Sequence, residues 1–345
     1  MRSVDLRTAG AGASVGLAAF AAAAIASHRG LRARIARDPE SETLRNPAEG
    51  SPTGAVSADG TKIHVEAFGP PSGPAVLLMH GWTETIAYWT YVVRELERHG
   101  IRSVVPDLRG HGQSARAAGG DYSLARFGED VEAVLATCVP AGQRAVVAGH
   151  SLGAMSIAAW AENHDVRARA SAAALMNTGV GELVAESLLV PVPAIARAVN
   201  RKIAVRGFLG ARAPLPRFST PVSHAVIRYV AFGPAATPAQ VAFYERMLVT
   251  CPPDVRADVG VAMSEMDLYP ALANLTIPTA VIAGARDRLT PPSHARRIAE
   301  MLPQLHGLTV LEGVGHMSPL ERPQEITATL QALVSLAGRA PAVAA

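Results

Sequence analysis

The chain has few aromatic residues and little net charge. Phe, Tyr and Trp make up 5% of its 345 residues, and its formal net charge is +3. Proteins that bind nucleic acids usually carry a concentrated basic stripe interleaved with aromatic side chains. The sequence shows no such stripe, so we expect no nucleic-acid partner.

Cysteine is also scarce. Cys138 and Cys251 are the two cysteines, and they lie far apart and outside any C-x-x-C spacing. Structural zinc sites and thiol redox motifs need closely spaced cysteines. The sequence therefore indicates neither, and we expect no metal or organic cofactor. A disulfide between the two cysteines stays open at this point.

The N-terminal region contains an uncharged run. Residues 9–27 carry no charge and follow Arg2 and Arg7. Small residues at 24–26 suit a signal peptidase, which would make the run a cleaved secretory signal. The arginines that follow oppose export and favour an uncleaved anchor; they are Arg29, Arg32, Arg34 and Arg37. We predict that residues 1–37 form a signal or membrane-anchor segment with membrane association through residues 9–27; secretion after cleavage and a soluble arm are the alternatives.

The remainder of the chain divides into a polar stretch, a long region in which strand and helix patterns alternate, and a helical interruption of that region. Residues 38–60 are polar, contain prolines and lack periodicity, which is typical of a linker. From residue 61 onward, apolar runs suited to buried parallel strands alternate with helical patterns, beginning with an alternating edge strand at 62–67. The alternation is interrupted at 179–266 by helical stretches separated by prolines. The sequence thus predicts an α/β core at 61–178 and 267–338, with a helical cap at 179–266.

The most informative stretch is Gly149-His150-Ser151-Leu152-Gly153. It follows an apolar run and precedes a helix-compatible run of small residues. Glycines on both sides let a strand and a helix approach closely, and a serine at the apex of such a turn is lifted out of the sheet. This pattern predicts a nucleophile elbow at Ser151. The competing interpretation is a serine that only caps the helix.

Other chemistry-bearing residues follow predicted strands. Trp82 comes after the strand at 75–79, and its backbone N–H together with that of Leu152 is predicted to form an oxyanion hole. Asp287 and His316 each follow a later strand. Asp107 follows a strand that precedes the elbow, so we predict a structural role for it. His80 is likewise expected to hold its loop by hydrogen bonds.

The apolar cap residues either line an acyl pocket or form the core of the cap; they are Leu188, Leu189, Val190, Phe208, Leu209 and Phe232.

The chain order of serine, aspartate and histidine resembles that of the α/β-hydrolase superfamily. The motifs that carry this resemblance are His80-Gly81-Trp82, Asp107-Leu108-Arg109-Gly110-His111-Gly112-Gln113-Ser114, Gly149-His150-Ser151-Leu152-Gly153, Gly284-Ala285-Arg286-Asp287 and Gly315-His316. The resemblance implies an α/β fold with a mostly parallel eight-stranded sheet, helices on both faces and a helical cap inserted after the sixth strand. It also implies that Ser151 is the nucleophile, His316 the general base and Asp287 the residue that orients it.

The resemblance narrows the chemistry but not the substrate. Relatives such as epoxide hydrolases and haloalkane dehalogenases attack through a carboxylate, and the serine at 151 disfavours that chemistry. We therefore predict a carboxylic-ester hydrolase of the esterase or lipase type, acting on a small-molecule or lipid-like acyl substrate. The alternatives are a C–C bond hydrolase, a thioesterase, an aminopeptidase, a cofactor-free peroxidase and a non-catalytic ligand-binding member. The oligomeric state is not predicted.

Overall fold

The computed structural model describes residues 23–183, 209–216 and 219–339. These residues form one eight-stranded sheet of order β1-β2-β4-β3-β5-β6-β7-β8. The strands are β1 Ser51–Val56, β2 Lys62–Phe68, β3 Ala75–Met79, β4 Arg102–Pro106, β5 Ala145–His150, β6 Ala170–Met176, β7 Thr279–Gly284 and β8 Leu305–Leu311. β2 pairs antiparallel with β1 and with β4, and the other pairings are parallel. The predicted α/β-hydrolase architecture is confirmed.

Helices cover both faces of the sheet. They are α1 (residues 23–37), α2 Ser41–Arg45, α3 Thr90–Arg98, α4 Leu124–Cys138, α5 Leu152–Asn163, α6 Val166–Arg169, α7 Pro221–Ala231, α8 Pro238–Thr250, α9 Pro253–Glu265, α10 Pro292–Met301, α11 Ser318–Glu321 and α12 Pro323–Arg339. The helices α4, α5 and α10 pack on one face, and α3 and α12 pack on the other.

The two faces have separate apolar cores because the central strands are buried on both sides. Leu77 lies in one core and Leu78 in the other, since successive side chains of a strand point to opposite faces. Both are fully buried. Each such leucine stabilises the fold by about 1.5–3 kcal/mol. This burial explains why the strand at 75–79 appears in the sequence as a continuous apolar run.

The expected linker at 38–60 contains regular structure. It holds the short helix α2 and the strand β1, and β1 covers the edge of β2 that the sequence predicted to be open. Of the residues of β1, only Ala55 is buried. An edge strand whose side chains are mostly exposed needs no alternating pattern, and Pro52 is tolerated there because one side of the strand is unpaired. The lack of periodicity at 38–60 therefore wrongly indicated a linker without regular structure.

In the described part of the segment between β6 and β7, where the helical cap was predicted, the structure has the three α-helices α7, α8 and α9. Residues 184–208 and 217–218, which include Leu188, Leu189, Val190 and Phe208, lie outside the described residues. Phe232 is buried, with its ring centroid 6.1 Å from that of Tyr244. It therefore belongs to the apolar core of this region.

Most of the predicted membrane segment, residues 9–22, lies outside the described part of the chain, which starts at residue 23 within α1. Within that described part, no helix combines the length and the apolar character needed to cross a bilayer.

Cys138 and Cys251 are both buried and free, so they form no disulfide with each other.

Candidate active site

Ser151 occupies a strained turn between β5 and α5. Its backbone has φ 50° and ψ −114°, a conformation that costs a residue other than glycine about 1–3 kcal/mol. Two hydrogen bonds hold the turn: Ser151 N–H donates to the carbonyl of Met176 (2.9 Å), and the Thr178 hydroxyl donates to the carbonyl of Ser151 (3.0 Å). A methyl group at Gly153 would overlap the backbone carbonyl of Met79 in β3. The close approach predicted from the glycines is present.

Asp287 and His316 meet at the ends of the neighbouring strands β7 and β8. His316 Nδ1–H donates to Asp287 Oδ2 at 2.8 Å. The other carboxylate oxygen accepts from the backbone N–H groups of Leu289 and Thr290, both at 2.9 Å. The Thr290 hydroxyl also donates to Asp287 Oδ2 at 2.9 Å. With Nδ1 protonated and bound, His316 Nε2 keeps a lone pair that can accept a proton.

The surroundings of Asp287 favour its charged form. Burial by itself would raise the pKa of this carboxyl group. The neighbouring His316 and the hydrogen bonds that the carboxylate accepts outweigh burial, so the pKa of Asp287 is lowered. Asp287 is therefore ionised at neutral pH and can stabilise a positive charge on the imidazole.

Asn177 joins the aspartate loop to the histidine loop, and it was not predicted from the sequence. Its side-chain N–H donates to Asp287 Oδ2 (3.0 Å) and to the carbonyl of Gly315 (3.1 Å). Its Oδ1 accepts from the Ser318 hydroxyl at 2.5 Å. The sequence feature that could have identified Asn177 is that it is a polar residue directly after the apolar strand β6.

The two predicted oxyanion-hole donors follow β3 and β5, which are neighbours in the sheet. Among the residues that the structure describes, no acceptor is bonded to the backbone N–H of Trp82 or Leu152. The Trp82 indole N–H donates to the carbonyl of Arg256 in α9 at 3.1 Å, which holds the loop against the inserted helices. Both N–H groups are therefore free to bind an oxyanion as far as the described residues go, and the oxyanion hole stays a prediction.

His80 and Asp107 hold loops, in agreement with their predicted structural roles. His80 Nε2 accepts from Leu108 N–H (3.0 Å), so its Nδ1 carries the proton and donates to the carbonyl of Gly81 (2.8 Å). Burial keeps the pKa of His80 well below its usual value. The Asp107 carboxylate accepts from the backbone N–H groups of Ile86 (2.9 Å) and Gln113 (2.8 Å).

A buried pair, Glu84 and His150, links three loops of the site. Glu84 Oε2 accepts from Gly81 N–H (2.5 Å) and from His150 Nδ1–H (3.1 Å), while His150 Nε2–H donates to the carbonyl of His316 (2.8 Å). Both ring nitrogens of His150 therefore face acceptors. Burial opposes a charged ring, but the Glu84 carboxylate outweighs it and raises the pKa of His150. The geometry and the charge both favour an ion pair.

Removing the charge of Glu84 should loosen this arrangement. We expect Glu84→Gln to lower the free energy of unfolding by about 3 kcal/mol, because breaking a buried ion pair leaves the other partner uncompensated. Urea denaturation followed by circular dichroism gives the stability. Glu95→Gln removes an exposed ion pair with Arg98 and is the control; equal losses in the two variants would contradict the role of the buried pair.

Glu321 ties the end of α7 to the histidine loop. Its two oxygens accept from Gly233 N–H (2.8 Å) and Gly315 N–H (2.9 Å). The backbone N–H of His316 donates to the carbonyl of Ala231 at 2.7 Å. Although backbone donors oppose the shift, burial raises the pKa of Glu321 from its ordinary value of 4.5 to about 7. The inserted helices and the histidine loop are therefore joined by a group that titrates near neutral pH.

The raised pKa of Glu321 predicts a pH-dependent stability. Between pH 4.5 and 7 the folded state binds more protons than the unfolded state, so the stability that this group contributes falls as the pH rises. We expect the unfolding free energy of the wild type, relative to Glu321→Gln, to decrease by about 2–3 kcal/mol across that window. Denaturation at several pH values measures it, with the exposed Glu162→Gln as control. A difference that is flat or rises with pH would contradict the assignment.

A mostly parallel sheet with a serine elbow after β5 and an aspartate–histidine pair after β7 and β8 is the arrangement of the α/β-hydrolase fold. The chain belongs to the alpha/beta hydrolase family, whose sequence profile matches residues 76–329. It is therefore a hydrolase of the α/β-hydrolase type.

Known relatives span most of the chain at low identity. Epoxide hydrolase A of Mycobacterium tuberculosis is 25% identical, over 81% of this chain and 97% of its own. The esterase RhEst1 of Rhodococcus sp. is similar in structure, with a TM-score of 0.67, 25% identity and coverage of 83% and 98%. A bacterial membrane phospholipase A has the same fold, with a TM-score of 0.67, 22% identity and coverage of 95% and 98%.

Proposed function

We propose that the protein hydrolyses carboxylic esters through an acyl-enzyme on Ser151. The observation that carries this proposal is the Asp287–His316 hydrogen bond of 2.8 Å, beside an elbow with serine at its apex. A histidine can act as a general base toward a serine when a carboxylate that is hydrogen-bonded to its Nδ1–H fixes the imidazole tautomer. The serine at 151 favours acyl transfer over the carboxylate chemistry of epoxide hydrolases.

In the first half of the proposed reaction, His316 Nε2 removes the proton of the Ser151 hydroxyl as Oγ attacks the ester carbonyl carbon. The carbonyl oxygen becomes an oxyanion that accepts hydrogen bonds from the N–H groups of Trp82 and Leu152. Asp287 stabilises the imidazolium. When the C–O bond of the ester breaks, His316 returns the proton to the leaving alcohol, and the acyl group stays on Ser151.

In the second half, a water molecule attacks the acyl-enzyme. His316 Nε2 removes a proton from the water, and the same two N–H groups bind the second oxyanion. As the bond to Ser151 Oγ breaks, His316 protonates that oxygen and the carboxylic acid leaves. One ester and one water thus yield one acid and one alcohol, and the described residues supply every proton transfer in this scheme.

The substrate class in this proposal is a small-molecule or lipid-like acyl ester. The similarity to the esterase RhEst1 supports ester cleavage. Residues 1–37 would attach the protein to a membrane, and the similarity to a membrane phospholipase A over 95% of this chain is consistent with that. Secretion after cleavage near residue 26 is the alternative, which N-terminal sequencing of the protein from its host would distinguish.

Turnover of p-nitrophenyl esters of increasing acyl length tests the proposed activity. We expect turnover to peak at one range of chain lengths and to be lost in His316→Ala. The matching thioester and p-nitroanilide series, with a halide-peroxidation assay, separate a thioesterase, an aminopeptidase and a peroxidase from an esterase. Faster turnover of any of these substrates than of the best ester would contradict ester hydrolysis as the main activity.

A further inference from the structure

The helix α7 presents an apolar face to solvent. Its exposed residues are Val222, Ala225, Val226 and Tyr229, and none of them is charged. The spacing places them on one side of the helix. Val222, Val226 and Tyr229 are 73%, 54% and 62% exposed. A solvent-facing side of a helix normally carries charged residues, so this side, which we call the α7 face, has the character of a contact surface.

The α7 face is fixed in position beside the candidate active site. At its start, Thr220 and Ser223 form a capping box, and at its end the carbonyl of Ala231 accepts from His316 N–H. Arg288, next to Asp287 in the sequence, donates to the carbonyl of Tyr229 at 2.6 Å, and its guanidinium lies 4.2 Å from the centre of the Tyr229 ring. The face is therefore attached to the loops that carry Asp287 and His316.

The N-terminal helix reaches the protein at the same place. Ala239 N–H, at the start of α8, donates to the carboxylate of Asp38 (3.0 Å), directly after α1. The hydroxyl of Thr237, in the segment between α7 and α8, donates to the carboxylate of Glu40 at 3.0 Å. The uncharged residues 9–22 precede α1. The C-terminal end of α1 is thus held beside the segment that joins α7 to α8.

The charge of α1 indicates which kind of partner the α7 face contacts. Residues 23–37 contain no acidic residue, and their four arginines are exposed; they are Arg29, Arg32, Arg34 and Arg37. A second copy would add the same positive charge, and neither its α1 nor its α7 face would offer these arginines an acidic partner. Anionic lipid headgroups complement them, and the apolar side chains of the α7 face suit the interfacial layer of a bilayer.

We propose that the α7 face docks on an anionic lipid bilayer, with the arginines of α1 on the headgroups. Docking in this orientation turns the His316 side of the molecule toward the bilayer. The substrate class is then an amphiphilic ester taken from the lipid phase, a conclusion that rests on the proposed ester hydrolysis. The docking itself does not depend on catalysis.

A local probe on the full-length chain tests the proposal. Cys138 and Cys251 are buried, so a Val226→Cys variant offers one exposed thiol for an environment-sensitive fluorophore. The matched control is Val56→Cys, an exposed valine on β1 (63% exposed), and labelled wild type gives the background. We expect the emission at 226 to shift to the blue with phosphatidylcholine–phosphatidylglycerol vesicles and to change little with phosphatidylcholine alone. The emission at 56 should not shift.

Three results would overturn the proposal. An unshifted probe at 226 on protein that co-sediments with the vesicles means that only the N-terminal segment binds. A blue-shifted probe before vesicles are added means that the face is already covered, by residues 184–208 or by a second copy. Equal shifts at 226 and 56 mean unspecific adsorption. The docking and the proposed ester hydrolysis are tested separately, because we expect Ser151→Ala to bind vesicles as strongly as the wild type although it cannot hydrolyse esters.

Discussion

Replacing Ser151 by alanine is expected to lower kcat/KM for ester hydrolysis by on the order of 10⁴-fold or more. Without the hydroxyl no acyl-enzyme forms, and the oxyanion-hole donors alone give only residual catalysis. The fold should persist, because the hydrogen bonds that hold the turn use the backbone N–H and carbonyl of Ser151. Initial rates with a p-nitrophenyl ester and a thermal unfolding curve measure the two quantities.

Ser156→Ala is the matched control for this substitution. Ser156 is a buried serine on α5 whose hydroxyl donates to the carbonyl of Leu152 within the helix (2.8 Å). We expect its removal to leave most of the activity. A Ser151→Ala variant that keeps more than about a hundredth of wild-type turnover would show that another group is the nucleophile, since removing a nucleophile costs far more than that.

Gly153→Ala should have the largest effect on stability. The added methyl group would overlap the carbonyl of Met79, which belongs to the central strand β3 and cannot move without breaking the sheet. We expect a loss of about 4 kcal/mol or more in unfolding free energy, measured by urea denaturation. The control is Gly307→Ala in β8, where a methyl group meets nothing within 4 Å. A loss below about 1 kcal/mol in Gly153→Ala would contradict the close approach of α5 and β3.

The sequence predicted the parts of the site that follow strongly patterned strands. Ser151, Asp287 and His316 each follow a predicted strand within five residues, and Asp287 and His316 meet because β7 and β8 are adjacent. β1 was not predicted because an exposed edge strand has no need of an apolar alternation.

The positioning residues could not be predicted in the same way. Glu84 lies 66 residues from His150, and Asn177 lies 110 residues from Asp287. Such pairs are created by the packing of the loops at the carboxyl edge of the sheet, and no local pattern encodes them. The same holds for α7, because its sequence shows apolar residues without showing which of them other helices cover.

Labelling with a fluorophosphonate probe, followed by mapping of the modified peptide by mass spectrometry, tests the serine mechanism most directly. Such probes react with a serine hydroxyl that a neighbouring base has activated. We expect a single adduct on Ser151 in the wild type, no adduct in Ser151→Ala and slow labelling in His316→Ala. A folded wild-type protein that is not labelled, or that is labelled on a residue other than Ser151, would contradict Ser151 as the nucleophile.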